Sequence, residues 1–169
     1  MAIGTTRIHG RAGVEMNIVH YLAGDLSEEF ERIPLSAGSW TYGTGANQVN
    51  CVYAANTTLL DDGEDTINLY SGGLLDVFNR TITMSSLKFL YIKNNSTDAT
   101  LEVLGTAVTG LDIVKDKTDI ILVKPGGYFL WVDPSAAGTV MTTNLSLKLL
   151  HGGTGTSSMV VNVIAMGLD

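Results

Sequence analysis

The sequence predicts an all-β domain, a β-sandwich or barrel, on three observations. Short apolar or alternating stretches recur at roughly 8–12-residue spacing, separated by Gly, Pro and Asn turns. Glycine is frequent, at 19 of 169 residues, whereas charged residues make up only 16% of the chain. No convincing helical stretch of about ten residues is present, which disfavours the βαβ crossovers of a parallel sheet.

The composition argues against nucleic acids and membranes as binding partners. The net charge of −7 argues against a nucleic-acid groove, which usually leaves a basic footprint. No apolar run approaches the roughly 20 residues of a membrane helix, and the N-terminus lacks the apolar core of a signal peptide. The single cysteine, Cys51, excludes an internal disulfide. We therefore expect no nucleic-acid partner and no membrane partner.

The N-terminal segment, residues 1–24, differs from the rest because it carries Arg7 and Arg11 against only Glu15. Glycines interrupt its start, so Met1–Gly13 is interpreted as an extended arm and Val14–Leu22 as a possible first strand. A frayed terminus is the alternative. Residues 25–169 then form the sandwich domain.

The start of that domain has two interpretations. Asp25–Glu28 has the spacing of a capping box and favours a short helical turn, which Pro34 would end. Phe30–Leu35 favours an edge strand instead, and we prefer this interpretation. Trp40 and Tyr42 follow between glycines, as in a strand that leads into a tight turn.

The remaining elements follow from alternation and turn residues. Strands are expected at Gln48–Ala54, Thr66–Tyr70, Thr81–Lys93, Thr100–Leu104, Ile120–Val123, Tyr128–Val132, Leu145–Leu149 and Met159–Met166. Ile120–Val123 is continuously apolar, which predicts that both of its faces are covered. Leu74–Phe78 has the spacing of one helical turn. Pro125-Gly126 predicts a type II turn.

Few residues suggest catalysis. The histidines at positions 9, 20 and 151 are scattered, and no Gly-x-Ser-x-Gly elbow occurs. Cys51 lies in an apolar strand and is interpreted as a small buried residue. A β-sandwich hydrolase that uses two carboxylates stays open as an alternative. We expect no catalytic residue and no cofactor.

One acidic turn is a weak calcium candidate, because it concentrates carboxylates around Gly63. Its members are Asp61, Asp62, Glu64 and Asp65. The spacing does not match an EF-hand loop, so a solvated turn is the preferred interpretation.

Partner contacts are expected at the arm and at one aromatic residue. Thr5, Arg7, Ile8 and Arg11 offer hydrogen bonds, one apolar side chain and two cations for carboxylates of a partner. Trp40 is a candidate for surface contact or for stacking on a sugar, although packing in the core is the competing interpretation.

Several stretches resemble small virion proteins of tailed bacteriophages. They are Trp40–Gln48, Asp65–Asn79, Leu87–Asn94, Pro125–Gly127 and Val160–Gly167. The resemblance covers roughly residues 40–167, and the similar proteins are jelly-roll cement (decoration) proteins of icosahedral heads or unassigned virion components.

This resemblance implies a jelly-roll-like antiparallel β-sandwich with a non-enzymatic, structural role. The implied partner is the major capsid protein, and the implied location is the capsid surface of a virion assembled in the host cytoplasm. Because exposed strand edges need covering, self-association is also expected, most simply as a trimer on a local threefold axis. A tail or fibre protein and a carbohydrate-binding module are the alternatives.

Overall fold

A computed structural model of the chain describes residues 9–21, 28–70, 73–76, 80–104, 113–114, 116, 119–141, 146–152 and 157–169. Every regular element within these ranges is a β-strand, so the all-β prediction is confirmed. The strands are β1 (His9–Tyr21), β2 (Glu28–Tyr42), β3 (Gln48–Val49), β4 (Cys51–Leu59), β5 (Glu64–Asn68), β6 (Ser86–Asn94), β7 (Thr100–Leu104), β8 (Ile120–Val123), β9 (Tyr128–Val132), β10 (Thr139–Val140), β11 (Ser146–Gly152) and β12 (Met159–Leu168).

Two antiparallel sheets form the body of the domain. The first has the order β4–β12–β6, with β9 and β10 both paired to the other side of β6. The second has the order β5–β11–β7–β8. The chain changes sheet between β4 and β5, between β5 and β6, and again between β6 and β7. Non-local pairing therefore holds together strands that are distant in sequence, such as β4 and β12.

The main core lies between the two sheets and confirms the sandwich. Alternate residues of β12 are fully buried, as their spacing predicts: Met159, Val161, Val163 and Ala165. The second sheet contributes Ile67, Leu101, Val103, Leu147 and Leu149 to the same cluster. Full burial of each larger aliphatic side chain contributes about 1.5–3 kcal/mol, so this interface dominates the stability of the domain.

Strand β6 is the central strand of the first sheet and is buried on both faces. Leu90 and Ile92 face the main core, whereas Phe89 lies in a second cluster on the opposite face of the sheet. Trp40 of β2 and Val49 of β3 complete that cluster. The segment that precedes the sandwich thus covers part of the outer face of the first sheet.

The first two strands form an antiparallel ribbon. Its register runs from His9 opposite Thr41 to Tyr21 opposite Glu28, with an irregularity between Arg11 and Gly13. The end of β2 continues into a short parallel pairing with β3. The predicted strand Phe30–Leu35 lies within β2, so the preferred interpretation is confirmed, and Glu28 opens this strand rather than closing a capping box. Residues 1–8 and 22–27 lie outside the described ranges.

Two turns form as their residues predict. At Pro125-Gly126 the amide of Gly127 donates to the carbonyl of Lys124 at 2.8 Å, and Gly126 has φ +70°, as a type II turn requires. At the end of β6, the buried side-chain amide of Asn94 donates to the backbone carbonyls of Ala99 (2.8 Å) and Val123 (3.0 Å). Asn94 therefore fixes the connection between β6 and β7 and joins the end of β6 to the last residue of β8 by a hydrogen bond.

The predicted helical turn at Leu74–Phe78 is wrong in its described part. Leu75 forms a β-bridge with Thr81. The buried carboxylate of Asp76 accepts hydrogen bonds from the backbone amide of Arg80 at 2.8 Å and from its guanidinium at 2.7 Å. Such side-chain bonds to the backbone compete with helix formation. Residues 77–79 lie outside the described ranges.

Candidate functional site: an exposed apolar sheet edge

Strand β8 presents apolar side chains to solvent at the edge of the second sheet. Ile120 is 53% exposed and Leu122 is 54% exposed, whereas Val123 is buried. The prediction that both faces of Ile120–Val123 are covered is therefore wrong. The apolar run is an edge strand whose inner face packs on the core, and no described element covers its outer face.

The backbone of β8 has a described partner on one side only. In the described part of the chain β8 pairs with β7 alone, through contacts from Leu101 opposite Val123 to Leu104 opposite Ile120. An edge with unpaired amides and carbonyls is a template for pairing with another chain. Two exposed aliphatic side chains on that edge add apolar area for a partner to bury.

Of the residues that the sequence assigns to partner binding, Arg11 and Trp40 fall within the described ranges. Thr5, Arg7 and Ile8 lie outside the described ranges. Arg11 lies in β1, opposite Ser39 of β2 in the backbone register.

Trp40 is 1% exposed, so it offers no ring to a partner or to a sugar. The expectation of surface contact at Trp40 is thus corrected, and the competing interpretation of core packing holds. The reason is its place at the end of β2, where it packs with Val49, Phe89 and Met166. Its indole Nε1 has no hydrogen-bond partner in the described part of the chain.

Lys88 holds the turn that follows Trp40. Its side chain is fully buried, and its Nζ donates to the carbonyls of Gly45 at 2.8 Å and Gln48 at 3.0 Å. Burial lowers the pKa of Lys88, and the nearby carboxylate of Asp133 opposes that shift. Lys88 therefore joins β6 to the turn before β3 through these two hydrogen bonds. Alternation within the predicted strand Thr81–Lys93 gives no sign of this contact, because the two carbonyls lie 43 and 40 residues earlier in the chain.

The acidic turn joins β4 to β5, and its carboxylates point to different protein partners. Asp65 accepts a hydrogen bond from the hydroxyl of Thr57 at 3.0 Å, and Glu64 forms an ion pair with Lys148. Asp62 takes the left-handed conformation that closes the turn. Within the described ranges, no group of three or more His, Cys, Asp or Glu residues could hold a metal ion.

His151 is the buried neighbour of that turn. Its Nε2 lies 3.0 Å from the carbonyl of Ser157, which assigns the ring proton to Nε2 in the neutral form. Its Nδ1 has no hydrogen-bond partner in the described part of the chain and lies 3.9 Å from Asp61 Oδ1. His151 thus joins β11 to the residues before β12.

Cys51 is buried at the start of β4, as the sequence predicts. Burial, reinforced by the carboxylate of Asp169, raises the pKa of the Cys51 thiol from 9.0 to about 12. A thiol with such a pKa is protonated at neutral pH, so Cys51 is poorly suited to nucleophilic chemistry.

Comparison with known proteins returns no relative: no protein-family model matches the chain, and no curated protein matches it. Within the described ranges no helix is long and apolar enough to cross a bilayer.

Proposed function

We propose that this protein is a non-enzymatic structural protein of a virion, of the capsid cement type, which binds the major capsid protein. The exposed apolar edge of β8 carries the proposal. Burying the exposed halves of Ile120 and Leu122 against a partner would contribute about 1–3 kcal/mol together. Backbone pairing with the side of β8 that has no partner among the described strands would add affinity and fix orientation.

The strand order supports a jelly-roll assignment within this proposal. One sheet places β4, β12, β6 and β9 side by side, and the other places β5, β11, β7 and β8. Eight strands distributed in this way between two sheets suit the double-sheet jelly roll that capsid proteins use. The resemblance of residues 40–167 to phage cement proteins points the same way.

Self-association is part of the same proposal. We infer a trimer on a local threefold axis of the shell, because closed cyclic symmetry covers one edge of each copy with an identical neighbour. The segment that contains Thr5, Arg7, Ile8 and Arg11 would reach an adjacent subunit. A tail or fibre location is the alternative, and labelling of intact virions with an antibody against the protein distinguishes the two.

Shell binding tests the role of the edge. The double variant Ile120→Asp, Leu122→Asp introduces two charges at the proposed interface while leaving the core residues Ile121 and Val123 in place. We expect its affinity for shells of the major capsid protein to fall at least about tenfold, with an unchanged melting temperature. Leu60→Asp is the matched control, because Leu60 is 70% exposed and lies in the turn after β4.

The copy number of the protein in purified virions provides the second measurement. A cement protein is present in a fixed ratio to the capsid protein, and that ratio should fall for the double variant and not for the control. Equal decoration of shells by the double variant and the wild type would show that β8 is not the interface. Absence of the protein from virions would overturn the proposed function itself.

A further inference from the structure

A groove lies on the outer face of the first sheet, on the side opposite the main core. Its volume is roughly 460 Å³, within the range of small-molecule sites, and it crosses β4, β12 and β6. The groove lies next to the part of this face that Trp40 and Val49 cover. Its lining residues are Ala54, Ala55, Asn56, Tyr91, Lys93, Asn162, Val163 and Ile164.

Carboxamides form a row across this groove. Asn162 of β12 lies opposite Asn56 of β4 and opposite Lys93 of β6 in the sheet register. The amide of Asn95 donates to Asn162 Oδ1, and the amide of Asn162 donates to Asn56 Oδ1. Among the described residues this leaves Asn56 Nδ2 as a donor and Asn95 Oδ1 as an acceptor, both on exposed side chains. The row therefore offers one donor group and one acceptor atom, held apart by Asn162.

An aromatic pair adjoins the row. The rings of Tyr91 and Tyr128 are stacked, with centroids 5.9 Å apart and planes inclined by 30°. Tyr128 lies opposite Lys93 in the register of β6 and β9 and is 50% exposed. A stacked pair has little conformational freedom, so it presents a rigid apolar surface beside the carboxamides.

The charge of the groove limits the ligand. Among the described residues that line the groove, none is acidic and Lys93 is the only cation, although the whole chain carries a net charge of −7. One cation does not bind a polyphosphate backbone, which takes several basic contacts. Hydroxyl groups suit a row of amides, and the C–H face of a sugar ring suits a tyrosine surface.

From this arrangement we infer that the groove is a saccharide-binding site. Asn56 Nδ2 donates to one sugar hydroxyl and Asn95 Oδ1 accepts from another, while Asn162 holds these two carboxamides in position. Tyr128 packs against the face of one sugar ring. Lys93 pairs with an acidic group where the saccharide carries one. The site is separate from the β8 edge and does not depend on the proposed capsid role.

Binding of defined oligosaccharides to the full-length protein tests this inference. The probes are neutral hexasaccharides of glucose, mannose and N-acetylglucosamine, and an oligogalacturonate as the acidic arm. We expect saturable binding of at least one probe with Kd below about 1 mM by calorimetry. Tyr128→Ala and Asn162→Ala should each weaken that binding at least about fivefold. Tyr42→Ala is the matched control, because Tyr42 is 48% exposed and lies at the end of β2, which pairs with β3 and not with a strand of the groove.

The Lys93→Gln variant separates the two kinds of probe. It should weaken binding of the acidic oligosaccharide and leave binding of a neutral one unchanged. If the alanine variants do not fold, chemical-shift mapping on the wild-type protein replaces them, and shifts at the side-chain amides of Asn56, Asn95 and Asn162 support the site. The inference is overturned if no probe binds at about 10 mM. It is equally overturned if binding survives Tyr128→Ala unchanged, or if the shifts map to another surface.

Discussion

Cys51 and Lys88 are both buried, and burial moves their pKa values in opposite directions because each residue loses its charged form. The thiol of Cys51 is held protonated, and the ammonium of Lys88 is disfavoured but retained by two backbone carbonyls and by Asp133. Burial thus disfavours the ionised form at both positions, and at Lys88 hydrogen bonds to the carbonyls of Gly45 and Gln48 offset that cost.

The thiol of Cys51 should resist modification in the folded protein. With a pKa of about 12 it is almost entirely protonated at pH 8, and the side chain is buried. We expect negligible reaction with a disulfide reagent at pH 8 in the native state and full reaction in denaturant. A Thr58→Cys, Cys51→Ala variant is the control, because position 58 is exposed and should react at once.

The same shift fixes the direction of a pH effect. In the folded protein the pKa is above its ordinary value of 9.0, so the contribution of Cys51 to stability is complete below pH 9 and declines as the pH rises toward 12. The free energy of unfolding should therefore fall less steeply above pH 9 in Cys51→Ala than in the wild type. If the free energy of unfolding, measured by urea titration, falls equally between pH 8 and pH 10 in the variant and in the wild type, the assignment is contradicted.

At the scale of elements, β12 is the strand on which the first sheet depends, because it pairs with β4 on one side and β6 on the other. Its register with β6 shifts between Met166 and Gly167. A Cβ placed on Gly167 would lie 2.0 Å from the carbonyl oxygen of Ser86, which is backbone and cannot move aside cheaply. Glycine at this position permits the close approach of the two strands.

Gly167→Ala should therefore destabilise the protein strongly, by more than about 2 kcal/mol in chemical unfolding. Gly126→Asn is the control. Gly126 has φ +70° with open space around its Cβ position, and asparagine tolerates the left-handed conformation. We expect the control to cost less than about 1 kcal/mol. Similar losses in the two variants would show that the contact with Ser86 is not limiting.

The elements differ in how far the sequence predicts them. Alternation is sufficient for β7, β11 and β12, because one face of each meets the core between the sheets. It does not predict that β6 is buried on both faces, because Trp40 and Val49 from a distant segment cover its outer face and Lys88 is buried as well. It also fails for β8, because an apolar run has the same pattern at the centre and at the edge of a sheet.

The candidate sites illustrate the same limit. No local sequence pattern marks Ile120 and Leu122 as exposed, and none predicts that the carboxamides form a row. Asn56 and Asn162 are separated by 106 residues along the chain and meet only through the pairing of β4 with β12. Trp40 had a local signal, between small polar residues, but tertiary packing buries it. Surfaces assembled from several strands depend on register and sheet order, which composition and periodicity do not specify.

At the scale of the whole molecule, the ribbon of β1 and β2 is joined to the sandwich through the end of β2. In the described part of the chain β1 pairs with β2 alone, whereas Trp40 and Val49 pack on the outer face of the first sheet. Residues beyond this anchor are therefore expected to contribute little to the stability of the sandwich and to be available for contacts with another subunit.

Deletion of residues 1–13 tests this division. The pairs from Val14 opposite Leu35 to Tyr21 opposite Glu28 remain possible in the shortened chain. We expect its melting temperature to change by less than about 3 °C, because the described core begins at Trp40, well after the deleted residues. Its binding to shells should weaken about tenfold, since the deletion removes Thr5, Arg7, Ile8 and Arg11.

Trp40→Ala is the opposite case and serves as the control for stability. Removing a fully buried tryptophan costs about 3–5 kcal/mol, which corresponds to a melting temperature lower by about 6–20 °C in a protein of this size. If the deletion lowers the melting temperature as much as Trp40→Ala, the ribbon is part of the folded core. If the shortened protein decorates shells as well as the intact one, the N-terminal residues are not a binding element. Ordering them costs about 1–2 kcal/mol per residue, and in that case no contact with the shell offsets the cost.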